Sequence, residues 1–143
     1  MLCVQIKNMK KAFTLFELLV SISIIALLVA IASVSYGAAQ RKARDSRRTE
    51  DLNGIQKALE QYYSSNAYSY PLTSGGVAVG ITPTYLQNWP KDPKTSVDYT
   101  YVPGAGTYCV CIALENPSGN SDSLDCSSFV ASGGANYCVK NQQ

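Results

Sequence analysis

No histidine occurs anywhere in the 143 residues. That absence removes the commonest general base, the hydrolase arrangements that need an imidazole, and the zinc sites built on one. A phosphate-cradling glycine loop is missing too. Gly75-Gly76, Gly104-Ala105-Gly106 and Gly133-Gly134 stand in turn-like context, and none opens a helix. Charge is nearly absent from residues 13–34, where Glu17 is the one ionisable side chain. Proline is lacking before Pro71. The formal charge is only +2, and Lys7, Lys10 and Lys11 all precede Phe13; without them the balance is −1. Neither balance suggests a polyanionic partner, and nothing so far suggests an enzyme.

The residues that are present divide unevenly. From Phe13 to Val34 the chain is almost wholly apolar, broken by isolated serines, whereas residues 64–143 are rich in Ser, Gly, Asn, Tyr and Pro. Twenty-two residues make a helix of about 33 Å, which matches the hydrocarbon core of a bilayer. Glu17 inside that run is costly, by roughly 2.5–3.5 kcal/mol at a helix centre and less near the interface. No basic residue lies within one turn on its C-terminal side, so its partner is expected on another molecule. That describes a protein made to assemble inside a membrane. An ordinary secretory signal, cut near Ala32 or Ala39, is the bland alternative. It leaves Glu17 and the unbroken helical pattern beyond unexplained.

The run Lys10-Lys11-Ala12-Phe13-Thr14-Leu15-Phe16-Glu17-Leu18-Leu19 closely resembles the class III signal of type IV pilins and pseudopilins. The resemblance implies that a prepilin peptidase cuts between Ala12 and Phe13 and methylates the new amine on Phe13. Ala12 stands where most members have glycine, a small-for-small exchange. Glu17 falls at the family's acidic position, thought to meet the N-terminal amine of a neighbouring subunit, and Thr14 joins it as an expected assembly residue. Physical chemistry agrees, since an amine at Phe13 supplies the cation that Glu17 lacks. Met9 could also be the start, giving a leader of only four residues.

Helical character is expected from Tyr36 to about Tyr63. Leu52, Ile55, Leu59 and Tyr62 recur at steps of three and four, a stripe expected to cover a sheet, with Gly54 beside it. Many pilins carry a proline near the end of the apolar run; here softening would rest on Ser35 and Gly37. Arg41-Lys42-Ala43-Arg44-Asp45-Ser46-Arg47-Arg48 is the densest charge. Its first reading is a solvated face with internal pairs such as Asp45–Arg48 and Arg47–Asp51. Packing between subunits or on lipid headgroups comes next, and a DNA-binding strip last. These five basic residues follow the apolar run, so the positive-inside count places the C-terminal domain in the cytoplasm. The cleavage signal and the cysteines argue for the opposite side, which is the reading adopted.

Residues 64–97 read as a connector punctuated by Tyr70-Pro71, Thr82-Pro83, Trp89-Pro90 and Asp92-Pro93. Strands are expected at Asp98–Val102, Tyr108–Leu114 and Asn136–Lys140, with Pro103-Gly104-Ala105-Gly106 turning the first into the second. The fold class is therefore α+β: a long helix on a small antiparallel sheet. Tyr85–Pro93 followed by Tyr99-Thr100-Tyr101 resembles the loop-to-sheet passage of major pseudopilins, in which calcium binds C-terminal loops. Asp122 and Asp125 could act as ligands, but Asn116–Asn120 lacks ligand spacing, so no cofactor and no metal is expected; Asp92 reads as a turn residue.

Removal of the leader takes Cys3 with it and leaves Cys109, Cys111, Cys126 and Cys138. Cys109 and Cys111 share a strand face and are not expected to bond each other. Two pairings stay open: Cys109–Cys126 with Cys111–Cys138, or Cys109–Cys138 with Cys111–Cys126. Disulfides rank above a four-cysteine zinc site, whose spacing is absent, and above reduced core thiols. A thin exported domain gains roughly 2–4 kcal/mol per bridge. The tyrosines are expected to pack the sheet with their hydroxyls in water.

The expected organisation is a leader over 1–12, a transmembrane assembly helix over 13–35, an amphipathic helix over 36–63 and an exported domain over 64–143. The resemblance implies a non-enzymatic filament subunit, held in the inner membrane and then lifted by an assembly platform into a pilus with copies of itself and other pilins. A pseudopilin of a secretion or DNA-uptake machine is the alternative, as is a minor pilin that grips DNA or a surface.

Overall fold

The computed structural model describes residues 13–127 and 129–142; Lys10, Lys11, Ala12 and Cys3 lie outside them. The chain divides into two compact units between Ala38 and Ala39. One α-helix, α1 (Leu15–Ser65, 51 residues), supplies all the described secondary structure of the first unit and the opening element of the second.

Local chemistry sets both ends of α1. Thr14 Oγ1 accepts a hydrogen bond from the Glu17 backbone N–H at 3.2 Å, satisfying one of the four amides that a helix start leaves unpaired. Nothing interrupts the helix before Ser65. There Asn66 Nδ2 donates to the Tyr62 carbonyl, and Ala67 and Tyr68 turn into the left-handed region at φ 52° and 56°, the usual way of leaving a helix.

In the first unit every large apolar side chain from Phe13 to Ile31 is exposed. There are thirteen of them, and burying each is worth about 1.5–3 kcal/mol. Their sum, of order 20–40 kcal/mol, far exceeds the few kcal/mol that Glu17 costs in lipid. Among the described residues this is the one helix long and apolar enough to cross a membrane, by length and composition. The serine hydroxyls do not oppose insertion. Ser21, Ser23 and Ser33 each donate to the carbonyl four residues back, at 2.7–2.8 Å.

In the second unit the helix meets an antiparallel sheet. Two short strands, β1 (Thr73–Ser74) and β2 (Val77–Ala78), form a hairpin. The main sheet holds β3 (Tyr101–Pro103), β4 (Tyr108–Ala113), β5 (Gly119–Ser121), β6 (Phe129–Gly134) and β7 (Asn136–Lys140), in the order β3-β4-β7-β5-β6. The α+β arrangement read from the sequence is the one observed. Leu52, Ile55 and Leu59 are fully buried against Tyr99, Tyr101, Tyr108, Val110 and Val139, while Tyr62 is half-buried at the edge of this core.

Three details differ from the sequence reading. Asp98 to Thr100 precede β3 instead of belonging to it: Asp98 bridges Lys91, and the Tyr99 carbonyl accepts from Trp89 Nε1 at 2.9 Å. Strands β1, β2, β5 and β6 were not anticipated. β1 and β2 are two residues each, β5 is Gly-Asn-Ser, and β6 has only Phe-Val-Ala before Ser-Gly-Gly, so none carries an alternating apolar signal. Gly133-Gly134 therefore ends a strand where a turn was expected. A side chain at Gly119 would run into the Asn136 carbonyl, and one at Gly134 into the Ser121 backbone, so these glycines allow two backbones to approach closely. Gly54, in contrast, has open space where a Cβ would point, so its place beside the packed face has no steric cause.

Gly119→Ala is accordingly expected to destabilise the sheet domain, whereas Gly54→Ala, on an open helix position, should be neutral to stabilising by up to about 1 kcal/mol. Chemical denaturation of the full chain in detergent, followed by fluorescence of buried Trp89, reads both. Equal midpoints for the two variants would contradict this packing.

Candidate functional site

The helix start gathers the residues on which assembly was expected to depend. Phe13 and Thr14 precede the first turn, and Glu17 sits within it. Thr14 caps the helix through the Glu17 amide, so its first role is to the chain's own backbone. Thr14-Leu15-Phe16-Glu17 has the capping-box pattern, a signal the sequence reading did not use. The Glu17 side chain is exposed. At this end of the helix the unpaired amides favour an anion, which lowers but does not cancel the cost of placing a carboxylate among apolar side chains. Ala12, the other half of the expected cleavage site, lies outside the described residues.

The basic cluster is not a uniformly solvated face. Arg48 and Asp45 are buried, with Arg44 half-buried beside them. Asp45–Arg48 pairs at 2.9 Å as anticipated, but the main partners come from distant loops. Arg48 Nε donates to Asp92 Oδ2 at 2.6 Å, and Arg48 Nη1 approaches Glu115 Oε1 at 3.3 Å. Arg44 holds Glu115 with two near-parallel hydrogen bonds of 2.6 and 2.7 Å, the geometry that suits a guanidinium to a carboxylate. Each carboxylate also organises a loop. Asp92 accepts from the amides of Lys94 and Thr95; Asp45 accepts from the amides of Glu115 and Asn116 and from Asn116 Nδ2. Asp92 is thus the turn residue expected, and the buried partner of Arg48 besides. Arg41, Lys42 and Arg47 remain exposed.

The carboxyl pKa values follow from these contacts. Burial alone would push Asp92 up, but the hydrogen bonds from Arg48, Thr95 and Lys94 outweigh it and hold the group well below the usual range. Asp45 behaves alike: burial opposes ionisation, and the amides of Glu115 and Asn116 reverse it. Glu115, gripped by Arg44, is brought down to about 2.

Five tyrosine hydroxyls correct a second expectation, for they are tied to the helix and connector instead of standing in water. Tyr70 and Tyr108 both donate to Glu60, Tyr99 to Asp51, Tyr137 to Asn53, and Tyr101 to the Pro71 carbonyl, at 2.8–3.2 Å. Burial first, then the neighbouring Asp51 carboxylate, pushes the Tyr99 phenol above its ordinary value. The helix therefore offers the sheet polar anchors on either side of its apolar stripe. Asp51, Asn53 and Glu60 flanking Leu52, Ile55 and Leu59 were the available signal.

The cysteines are bonded as Cys109–Cys126 and Cys111–Cys138, the first of the two open pairings. Cys111 and Cys138 lie directly opposite on β4 and β7, and Cys109 reaches the loop after β5. Cys109, Cys111 and Cys126 lie close enough together to surround a metal ion, but sulfurs held in disulfides offer no thiolate for one. Asp125 accepts from Ser123 and Ser127, which brings its pKa down to about 2, while Asp122 is exposed. Among the described residues neither acid belongs to a cluster of three or more groups that could hold a metal ion.

Arg48→Ala leaves two buried carboxylates without their cation, which is expected to cost roughly 3–5 kcal/mol. Carboxyl pKa values lowered by folding add stability that is present above about pH 4 and lost as pH falls through the folded values, about 2 for Glu115. The parent's denaturation midpoint should therefore hold down to about pH 4 and drop below it. Its lead over Arg48→Ala should shrink over the same range, as the orphaned acids protonate. A lead that stays constant with pH would contradict the network.

Against this geometry, a family model described as the prokaryotic N-terminal methylation motif matches residues 7–33. No curated protein and no solved structure matches the chain. The matched segment contains the expected cut before Phe13, the cap at Thr14, Glu17 and most of the apolar run, and it ends before the sheet domain begins. With that signal at the head of a long helix and a small antiparallel sheet behind it, the findings support a type IV pilin-family protein.

Proposed function

We propose that the chain is a structural subunit of a type IV pilus-like filament, assembled through its N-terminal helix after a prepilin peptidase cuts before Phe13. The observation that carries the reading is the helix face itself. Thirteen large apolar side chains between Phe13 and Ile31 are exposed, with one carboxylate among them. Such a segment needs lipid before assembly and other helices after it. Glu17 then needs a cation in low dielectric, and a freshly cut amine on Phe13 of an adjoining subunit supplies one.

In this reading the chain waits in the inner membrane with its disulfide-bearing domain on the outer side. It is drawn by the assembly platform into a helical bundle with copies of itself and other pilins, and it performs no catalysis. The second unit favours a stabilised coat domain over a DNA-binding module. Arg44 and Arg48 are engaged by Glu115 and Asp92, so only Arg41, Lys42 and Arg47 of the basic run face outward.

Mass spectrometry of the mature protein from a membrane or filament fraction is expected to find a methylated Phe13 at the N-terminus. A terminus after Ala32 or Ala39 would reject the reading. Glu17→Ala should leave that processing intact and abolish incorporation into filaments.

A further inference from the structure

The two disulfides lie against each other. Cys111 Sγ is 3.5 Å from Cys109 Sγ and also 3.5 Å from Cys126 Sγ, so it stands equidistant from both ends of the other bridge. Three of the four residues are half-buried and only Cys138 is fully enclosed. Two recesses open onto the cluster. One, of about 380 Å³, is lined in part by Tyr108, Cys109 and Cys126; the other, of about 270 Å³, by Val102, Cys109, Cys111 and Leu124. Cys126 itself sits in the left-handed region at φ 58°, a conformation that costs a non-glycine residue and persists only while its surroundings impose it.

We propose that these four sulfurs form an internal thiol–disulfide exchange relay, with Cys111 as its central sulfur and the Cys109–Cys126 bridge as its point of entry for a small external thiol. The thiolate attacks Cys109 Sγ, forming a mixed disulfide, and the electron pair of the broken bond leaves on Cys126. The Cys126 thiolate attacks Cys111 Sγ, forming Cys111–Cys126 and releasing Cys138 as thiolate. Cys138, a diagonal neighbour of Cys109 on the same sheet face, attacks the mixed disulfide at Cys109 and expels the external thiol. Two bridges are present before and after, no electrons are consumed, and the thiol is returned. The rate of each step depends on thiolate fraction and access, and the recesses provide access.

The product is the pairing Cys109–Cys138 with Cys111–Cys126. The loop between β5 and β6, which carries exposed Leu124, is thereby moved from one attachment on β4 to another two residues along. The cluster acts as a two-position latch for that loop, and the external thiol catalyses the exchange between the two positions.

Cys138→Ser tests the central step, because it leaves a thiol on Cys111 beside an intact Cys109–Cys126 bridge. The variant from residue 13 onward, which lacks Cys3, is folded in detergent and held near pH 8.5, about the ordinary thiol pKa. It is then alkylated with iodoacetamide and fragmented in the mass spectrometer. The relay predicts label divided between Cys111 and Cys109; label on Cys111 alone overturns it. Cys111→Ser tests the last step, because it leaves a thiol on Cys138 diagonal to Cys109; label should then divide between Cys138 and Cys126, and label on Cys138 alone would overturn that step. The parent chain provides a readout that needs no substitution. After incubation with substoichiometric 2-mercaptoethanol, fragmentation between Cys109 and Cys111 should reveal Cys111–Cys126 beside Cys109–Cys126. Cys109–Cys126 alone would overturn the proposal.

Discussion

One helix has to satisfy two solvents, and the rest of the molecule follows from how it does so. Over Leu15 to Ile31 it presents apolar side chains on every side, with its serine hydroxyls turned back onto their own backbone. From Asp45 to Tyr62 it presents a narrow apolar stripe bordered by charged and amide groups. A segment of the first kind is unstable in water, and one of the second kind is unstable in lipid. The backbone hydrogen-bond ladder runs through both, so the change is made entirely by side chains. Glu17 is the exception within the first segment, which is why it carries the functional argument.

The second unit shows how a thin domain compensates for a small core. Its apolar centre is a few helix residues against tyrosines and valines, and much of its definition comes from directed contacts. Arg48 joins two loops that are themselves organised around carboxylates. Burying a charged cluster is no route to great stability, because desolvation offsets most of the attraction. What it supplies is position: either loop displaced from the helix would take from buried Arg48 one of its carboxylate partners. The tyrosine hydroxyls and the two disulfides extend the same principle across the sheet.

The sequence was most readable where a physical demand is met by a run of residues. The membrane-length apolar segment, the Leu52, Ile55 and Leu59 stripe and strands β4 and β7 all announce themselves by pattern. Where distant residues meet one at a time, reading failed. Arg44 and Arg48 looked like surface charges because their partners, Asp92 and Glu115, are tens of residues away and sit in segments that read as loops. Strand β5 and the end of β6 were missed because Gly119 and Gly134 serve close approach of backbones, and the apolar start of β6 is only three residues, Phe-Val-Ala. The disulfide pairing was undecidable because both options satisfy the same strand-face rule, and only the fold brings Cys138 opposite Cys111. At the N-terminus the reading did not use a nearer feature: Thr14 caps the helix, and the cap falls on the same four residues as the expected assembly role.

The central claim is that Glu17 pairs with the terminal amine of a neighbouring copy. Filaments grown from a mixture of isotopically light and heavy chains, treated with a zero-length carbodiimide cross-linker and digested, test this directly. The account predicts peptides that join Phe13 of one isotope to Glu17 of the other. Links confined to chains of the same isotope, or none at Glu17 while the filaments remain intact, would contradict it.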